Sequence, residues 1–591
     1  MRREHAFTAR RRAVERIGLL AVRDHRLTQL AAEERSWREA LDRKAETRPE
    51  LAPPASGPRG GAPRIDANLT TIAGHTGGPC KGESDEQRGW HDKPASSGSI
   101  RKVVDDHVTR IFGLLDRQGD ERQFDEVERS LRDLVFALGR LLLAFYLARR
   151  HETSDQYVAR WARRGLRRPA LRRKHLHTFF GRVTYWRTHL RPTDGKGVHP
   201  LDVALGLTAD AFSFLVVETS ARLSTLLSYE QVTAVLLYFL SWSPSKTSVE
   251  RSVLGLGRQT SDWFASAPAP EGDGEVLVIQ IDSKATPTAT DEELEKRRGK
   301  RNRGKKAPSP RHRGKQNRQR RGSKKRRKKG DKSKNGRAAT LVLMYSLRKA
   351  VDENGKSILL GPLNKRVYAS YASKRHAFAV ARREATKRGF GPKTRKLVHL
   401  ITDGDEDLER NAKKFFPNAR HTLDIVHVLE YFWEAGRFAY PEGSPELAAW
   451  VKARTRQLYA GQSALAVLAL NELDVAPGQR KRLAEILSYL QKRLKMMKYD
   501  ELRAQDLDVS SGAVEGGVRH VIAKRFDCGG MRWIRERAEA LLALRCIEIN
   551  GDWDEFVRFA RGRALAADPL QGEIRVLSKA PASLPTLEVA A

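Results

Sequence analysis

The spacing of apolar residues changes along this chain, and each change marks a different kind of element. Between residues 101 and 165, Val103, Val104, Val108 and Ile111, then Phe124, Val127, Leu131, Leu134, Val135 and Leu138, recur at three- and four-residue spacing. That spacing predicts two or three packed helices. Residues 173 to 190 (RKHLHTFFGRVTYWRTHL) mix Thr, Phe, Val, Tyr and Trp around Gly181, which predicts two short strands or a hairpin. Pro200 and Leu201 lead back into helix. Two helical patterns between 228 and 264 flank a turn at Ser243, Pro244 and Ser245, with Thr247 or Ser248 as N-cap. They read either as a helix-turn-helix or as an ordinary helical hairpin.

The pattern then turns to short apolar runs. VLVIQID closes at Asp282 and LVHLITD at Asp403. Both are rich in β-branched residues and followed by polar ones, as expected of buried strands ending at a sheet edge. ATLVLMYSL (339 to 347) and ILLGPLNKRVYASY, broken near Gly361 and Pro362, supply two more strands, and ARHTLD a further one. With the intervening helical patterns KRHAFAVARREATKRG, EDLERNAKKFF and IVHVLEYFWEAGRF, the order is β-β-β-α-β-α-β-α, an α/β arrangement with a mixed sheet and flanking helices. Residues 444 to 505 are helical throughout and form an all-α insertion. A helix carrying Glu515 (SGAVEGGVRHVIAKRF) and a closing amphipathic helix follow. The expected organisation is a poorly ordered extension over 1–100, a mainly helical N-terminal domain over 101–270 with possible DNA binding, the first part of the α/β core over 271–443, the insertion over 444–505, the closing helices over 506–555 and a C-terminal tail over 556–591.

Composition sharpens this. Lys and Arg number 110 against 72 Asp and Glu in 591 residues, a net charge of +38, which points to a polyanionic partner, foremost nucleic acid. The charge is concentrated: residues 296–337 hold 23 Lys or Arg and one acid, Asp331, giving +22. A segment of that composition between two strands is expected to be disordered alone and to bind DNA backbone, with Lys324, Lys325, Arg326 and Arg327 among its contacts; the plainer reading is a solubilising basic loop. Cys80, Cys528 and Cys546 are too dispersed for a disulfide framework or a zinc ribbon, and a cytoplasmic, nucleoid-associated location is expected. The basic start MRREHAFTARRRAVERIGLL carries no apolar run long enough for an export signal. The apolar stretch Leu134 to Leu147 contains Arg140 and is shorter than the ~20 residues that span a bilayer, so it is expected in a core and no membrane partner is expected.

The candidate chemistry is carboxylate chemistry. Asp282 and Asp403 at neighbouring strand ends, with Glu515 from a packed helix, would offer oxygen ligands to two divalent ions about 3.5 to 4 Å apart, Mg²⁺ or Mn²⁺, a constellation suited to in-line displacement at phosphorus. Taken singly, Asp282 and Asp403 read more readily as polar stops to strands, and Glu515 as a solvated helix residue; it is their joint occurrence in this order that points to a site. Asp405 competes with Asp403 but suits a helix N-terminus better. Asp424 at a strand-to-helix junction and His427 in the first helical turn read, from the residues, as an N-cap and a packed first-turn residue. Arg519, Lys524 and Arg525 are candidate DNA contacts, and Trp533 reads either as a base-stacking or as a core residue.

Several blocks in order, TFFGRVTYWRTHLR with PLDVALGL, ITDGDEDLERNAKKFFPNARHTLDIVHVLEYF, and SGAVEGGVRHVIAKRFDCGGMRW, resemble the DDE transposases of ISKra4-type bacterial insertion sequences over roughly residues 175 to 550. The resemblance implies a ribonuclease H-like catalytic domain and metal-dependent DNA cleavage followed by 3′-OH strand transfer. It implies Asp282, Asp403 and Glu515 as catalytic metal ligands, with the DxxH at Asp424 and His427 as an auxiliary element. The implied partners are transposon terminal inverted repeats, target DNA and further copies of the chain. A ribonuclease H-like nuclease without strand transfer, or a DNA-binding regulator derived from a transposase, are the other readings.

Overall fold

The computed structural model describes residues 94–116, 122–153, 167–191, 197–207, 210–289, 336–391, 393–528 and 531–566. The chain enters through helices α1 (Ser97–Leu115) and α2 (Phe124–Glu152). Ser96 caps α1, and Glu152 at the far end of α2 receives both the backbone N–H and the hydroxyl of Ser97, tying the two helices antiparallel. Next come strands β1 (Arg167–Thr178) and β2 (Gly181–Arg191), an antiparallel hairpin whose tight turn requires the positive φ of Gly181, 111°. Leu176, Val183 and Tyr185 on its inner face pack with Leu147 of α2 and with Leu201 of the short helix α3 (Pro200–Leu205).

Helices α4 (Phe214–Ser224), α5 (Tyr229–Leu240), α6 (Lys246–Gly257) and α7 (Thr260–Ser266) lead to the sheet. The cap of α6 is Ser245, whose hydroxyl accepts from Ser248 N–H, two or three residues earlier than the sequence suggests. Helix α6 buries Val249, Ser252, Val253 and Leu256, and Gly257 lets it approach Ala540 so closely that an added Cβ would lie 2.5 Å from the alanine methyl. One face of α6 is thus packed into the molecule. Val253, Leu256 and Trp263 belong to the same apolar cluster as the sheet, so the boundary expected near residue 270 does not separate two cores.

The sheet contains β3 (Val276–Pro287), β4 (Gly336–Val351), β5 (Ser357–Ser370), β6 (Leu397–Thr402) and β7 (Arg420–Leu423), in the spatial order β5-β4-β3-β6-β7. Strand β4 runs antiparallel to both β3 and β5, while β6 and β7 are parallel to β3. The register of β5 on β4 slips beside Gly361 and Pro362, where the sequence predicts a break. Leu277, Ile279 and Ile281 face a layer formed by α8 (Lys374–Lys387), through Ala377, Phe378 and Ala381, and by α9 (Glu406–Phe415), through Leu408 and Ala412. Val276 and Val278 face the opposite layer, the larger core. Both faces are covered, which is why the strands read as continuous apolar runs.

After β7 the chain forms α10 (Ile425–Ala439), then α11 (Pro445–Tyr459), α12 (Ser463–Leu468), α13 (Pro477–Gln491) and α14 (Tyr499–Ala504), the all-helical segment. The helix carrying Glu515, α15 (Gly512–Gly517), continues as a π-helical stretch over Val518–Ala523 and a last turn, Lys524–Phe526. Helices α16 (Arg535–Ile549) and α17 (Trp553–Ala566) close the described chain. The expected tail from 556 needs correction, because Trp553, Phe556 and Ala560 of α17 are fully buried and Trp263 packs edge-on to Phe556. Aromatic residues of that size contribute about 2 to 3 kcal/mol each on burial. The expected extension 1–100 lies outside the described residues up to 93, as does the basic segment over 290–335; Gly336 and Arg337 already belong to β4. No helix among the described residues is long and apolar enough to cross a membrane.

Candidate active site

Three aspartates stand at one level of the sheet. Ile281 of β3 pairs with Thr402 of β6, and Thr402 pairs with Leu423 of β7. The next residue on each strand is Asp282, Asp403 and Asp424. Because parallel strands share direction, all three lie together where the pairing among β3, β6 and β7 stops, with Asp424 N–H bonded to Thr402 C=O at 2.9 Å. One expectation is corrected here. Strand β3 does not end at Asp282 but runs to Pro287 against β4, and only its pairing with β6 stops there. The basic segment therefore departs roughly 15 Å or more along the strand beyond Asp282, at about 3.3 Å per residue.

Glu515 reaches this level from α15, which is held on β3 by Gln280, two residues before Asp282 and on the same face. The buried Gln280 amide accepts from Val514 N–H at 2.9 Å and donates to Ser510 C=O at 3.3 Å. Its NH₂ also lies 3.3 Å from the Tyr345 hydroxyl, which donates to Asp508. Gly517 lets α15 lie on β4, since a Cβ there would sit 3.0 Å from Leu341. Of the three glycines around Glu515, only this one marks a close approach, and Gly516 faces open space. The π-helical stretch leaves carbonyls without regular partners; the buried Arg545 takes those of His520 and Val521 at 2.6 and 2.8 Å.

The helical segment after α10 is more than an insertion. Tyr489 of α13 donates to Asp403 C=O at 2.7 Å, and Tyr499 of α14 donates to Leu423 C=O at 2.9 Å. Gly404 turns with φ 78° directly beneath Tyr489 and Arg493. The ends of β6 and β7, followed by Asp403 and Asp424, are thus braced from this segment.

Asp424 is fully buried and holds two positions at once. Its Oδ1 accepts from Val426 N–H at 3.0 Å, capping α10, while Oδ2 receives the Ser511 hydroxyl and lies 3.9 Å from His427 Nε2. Ligand atoms of Asp424, His427 and Glu515 lie within 4.8 Å of one another, so the auxiliary pair and the glutamate meet in one cluster. Burial raises the Asp282 carboxyl above its ordinary range, and the charges of Asp403 and Glu515 push it the same way, against Ser283 N–H and His427. For His427, burial opposes protonation, but Asp424, Glu430 and Asp403 outweigh it and raise the imidazole above its usual value. Asp403 and Glu515 are therefore both within electrostatic reach of the Asp282 carboxyl. Hard carboxylate oxygens gathered beside one imidazole are donors that could hold a divalent cation.

The remaining candidates divide. Asp405 caps α9, accepting from Asp407 and Leu408 N–H and pairing with Lys374 at 2.7 Å, which leaves the strand-end position to Asp403. Arg519 and Lys524 are exposed. Arg525 is a correction: it is 3 % exposed, donates to Ser224 C=O at 2.9 Å and lies over the Trp533 ring, so it anchors the end of this helix to α4 instead of facing solvent. Trp533 is in the core. Lys324, Lys325, Arg326 and Arg327 lie outside the described residues. Sequence reasoning missed Gln280, Ser511, Tyr489 and Tyr499. Only Gln280 left a signal, as the one polar side chain inside VLVIQI. No family model matches the chain, and no curated protein is significantly similar to it.

Proposed function

We propose that this protein is a DNA transposase with a ribonuclease H-like catalytic domain, resembling those of ISKra4-type insertion sequences, that cleaves DNA at transposon ends and joins the liberated 3′-OH to target DNA. The observation that carries the reading is the register: Asp282, Asp403 and Asp424 each follow the last mutually paired residue of three adjacent parallel strands, at one level, with Glu515 and His427 beside Asp424. The sheet order β5-β4-β3-β6-β7, with β4 alone running against the other four strands, is consistent with the ribonuclease H-like fold. The net +38 supports a polyanionic substrate.

Asp282, Asp403 and Glu515 would hold two Mg²⁺ or Mn²⁺ ions, which supply Lewis-acid stabilisation of the attacking and leaving oxygens. The rest is the work of the chain. Gln280 fixes Glu515 against the strand that carries Asp282, Tyr489 fixes the turn after Asp403, and Ser511 fixes the Asp424 carboxylate. His427, with its raised proton affinity, stands beside these acids as a group that can carry a proton to or from a phosphate or hydroxyl oxygen. Exposed Arg519 and Lys524 follow Glu515 along the helix and can meet backbone phosphates.

The test is joining. Linear DNA carrying the sequences that border the gene, with recessed 3′-OH ends, is incubated with the protein, Mg²⁺ and a circular plasmid. Covalent joining of the ends to the plasmid is the expected result. Hydrolysis without joined product would instead mean a nuclease of the same architecture, and DNA binding with neither reaction a regulator.

A further inference from the structure

Among the described residues, the β1–β2 hairpin has one face covered along its length and one covered only near its turn, where His177 packs against Phe212 and Trp242, and the two differ in chemistry. Antiparallel partners point to the same side of the sheet. Lys174 with Tyr185 and Leu176 with Val183 therefore share the inner face, under α2 and α3, where Lys174, Tyr185 and Arg187 converge on the buried Asp202 carboxylate. The outer face carries the pairs Leu171 with Thr188, Arg173 with Trp186, His175 with Thr184 and His177 with Arg182. Leu171, Arg173 and His175 are exposed, and Thr184, Trp186 and Thr188 are partly so.

No acid interrupts residues 156 to 193, a stretch that holds eleven Lys or Arg. Asp202, the carboxylate that balances the hairpin's inner cations, is itself buried on the inner side. The outer face thus presents cations, hydroxyl donors and one indole. His175 registers the imbalance, since burial and then the charges of Arg182 and Arg173 lower its proton affinity. Stably paired strands of about ten residues make a ribbon roughly 33 Å long, close to one turn of duplex DNA. The major groove of B-form DNA, about 12 Å wide, admits a two-stranded ribbon of this kind.

We propose that the outer face of the β1–β2 hairpin is a docking surface for duplex DNA, with Arg173 on backbone phosphate and Thr184, Trp186 and Thr188 turned toward the groove. The inference rests on the reading that DNA is the substrate, and it assigns binding to a part of the chain separate from the carboxylate cluster. Charge complementarity selects the occupant, and hydroxyls alternating with arginine and tryptophan suit a polar, phosphate-walled groove.

The experiment uses the full chain without divalent metal, so that no reaction can occur. Binding of a 30-base-pair duplex is measured against salt concentration for the wild type, for Arg173→Glu/His175→Glu, and for Arg480→Glu, an exposed arginine on α13 serving as a charge control. The expected result is a hairpin variant with a salt slope lower by about one and an affinity about fivefold weaker at 150 mM salt, beyond any change in the control. A hairpin variant that binds like the control would overturn the proposal. A photo-crosslinking amino acid replacing Thr184 in the otherwise unaltered chain covers the case in which the double variant misfolds. Attachment to duplex DNA is expected; no attachment, or equal attachment to duplex RNA, whose narrow major groove excludes a ribbon, would overturn it. Because binding is read apart from cleavage and joining, failure here leaves the transposase reading to its own test, and failure of joining leaves this surface to its own.

Discussion

At the scale of single residues, burial separates the cations that serve the fold from those available to a ligand. Arg525 and Lys524 are neighbours in one basic string, yet only Arg525 is buried, donating to Ser224 C=O and covering Trp533. Arg525→Ala should lower stability by about 2 kcal/mol or more in denaturant unfolding, since a charged hydrogen bond is lost and a carbonyl is left buried. Lys524→Ala should leave the unfolding midpoint where it was. Nothing in AKRF distinguishes the two, because the distinction comes from α4, three hundred residues earlier. His399 gives a pH signature. Burial, then Arg420 and His421, push its imidazole down to about 3, and its Nε2 meets Thr422 Oγ1 at 3.0 Å. With an unfolded value near 6.5, the folded state resists protonation, so its stability is full above about pH 6.5 and falls as the pH drops toward 3. Between pH 6.5 and 5 the loss should be about 2 kcal/mol, and His399→Gln should remove that share of the acid sensitivity in unfolding curves taken at each pH.

At the scale of elements, the strands and their acids were legible and their bracing was not. VLVIQID and LVHLITD announce buried strands because both faces of the sheet are covered, and the polar residue that ends each run is the one that reaches the site. The pattern could not show that β3 continues to Pro287, because Ser283, Lys284 and Thr286 break the apolar run while β4 keeps pairing with them. Nor could it show that Tyr489 and Tyr499, in a segment whose helical period was plain, hold the ends of β6 and β7. Gly404 makes the bracing testable. At φ 78° and with a Cβ position 2.2 Å from the Tyr489 hydroxyl, Gly404→Ala strains the turn and displaces the tyrosine. It should cost about 1 to 3 kcal/mol in thermal unfolding and reduce DNA cleavage more than it reduces DNA binding. Equal losses in both would mean the turn supports the fold without positioning Asp403.

At the scale of the whole molecule, the cluster is assembled from positions 282, 403, 424, 427 and 515, and every link depends on the sheet order placing β6 between β3 and β7. The sequence shows acids after apolar runs; adjacency of the runs is a tertiary fact, supplied for Asp282 and Asp403 by the resemblance and for Asp424 by the register. Charge is distributed at the same scale. Residues 296–337 carry +22 of the net +38, so a chain lacking 296–335, which spares β4, should show a much shallower decrease of DNA affinity with salt. An unchanged slope would mean that this segment does not meet DNA. The claim on which everything else rests is that Glu515 joins the strand-end aspartates as one reaction centre. Metal-dependent DNA cleavage by Glu515→Gln, measured beside DNA binding by the same preparation, tests it most directly. Cleavage reduced at least ~1000-fold with binding within about twofold of wild type is the expected result; cleavage at the wild-type rate would contradict it.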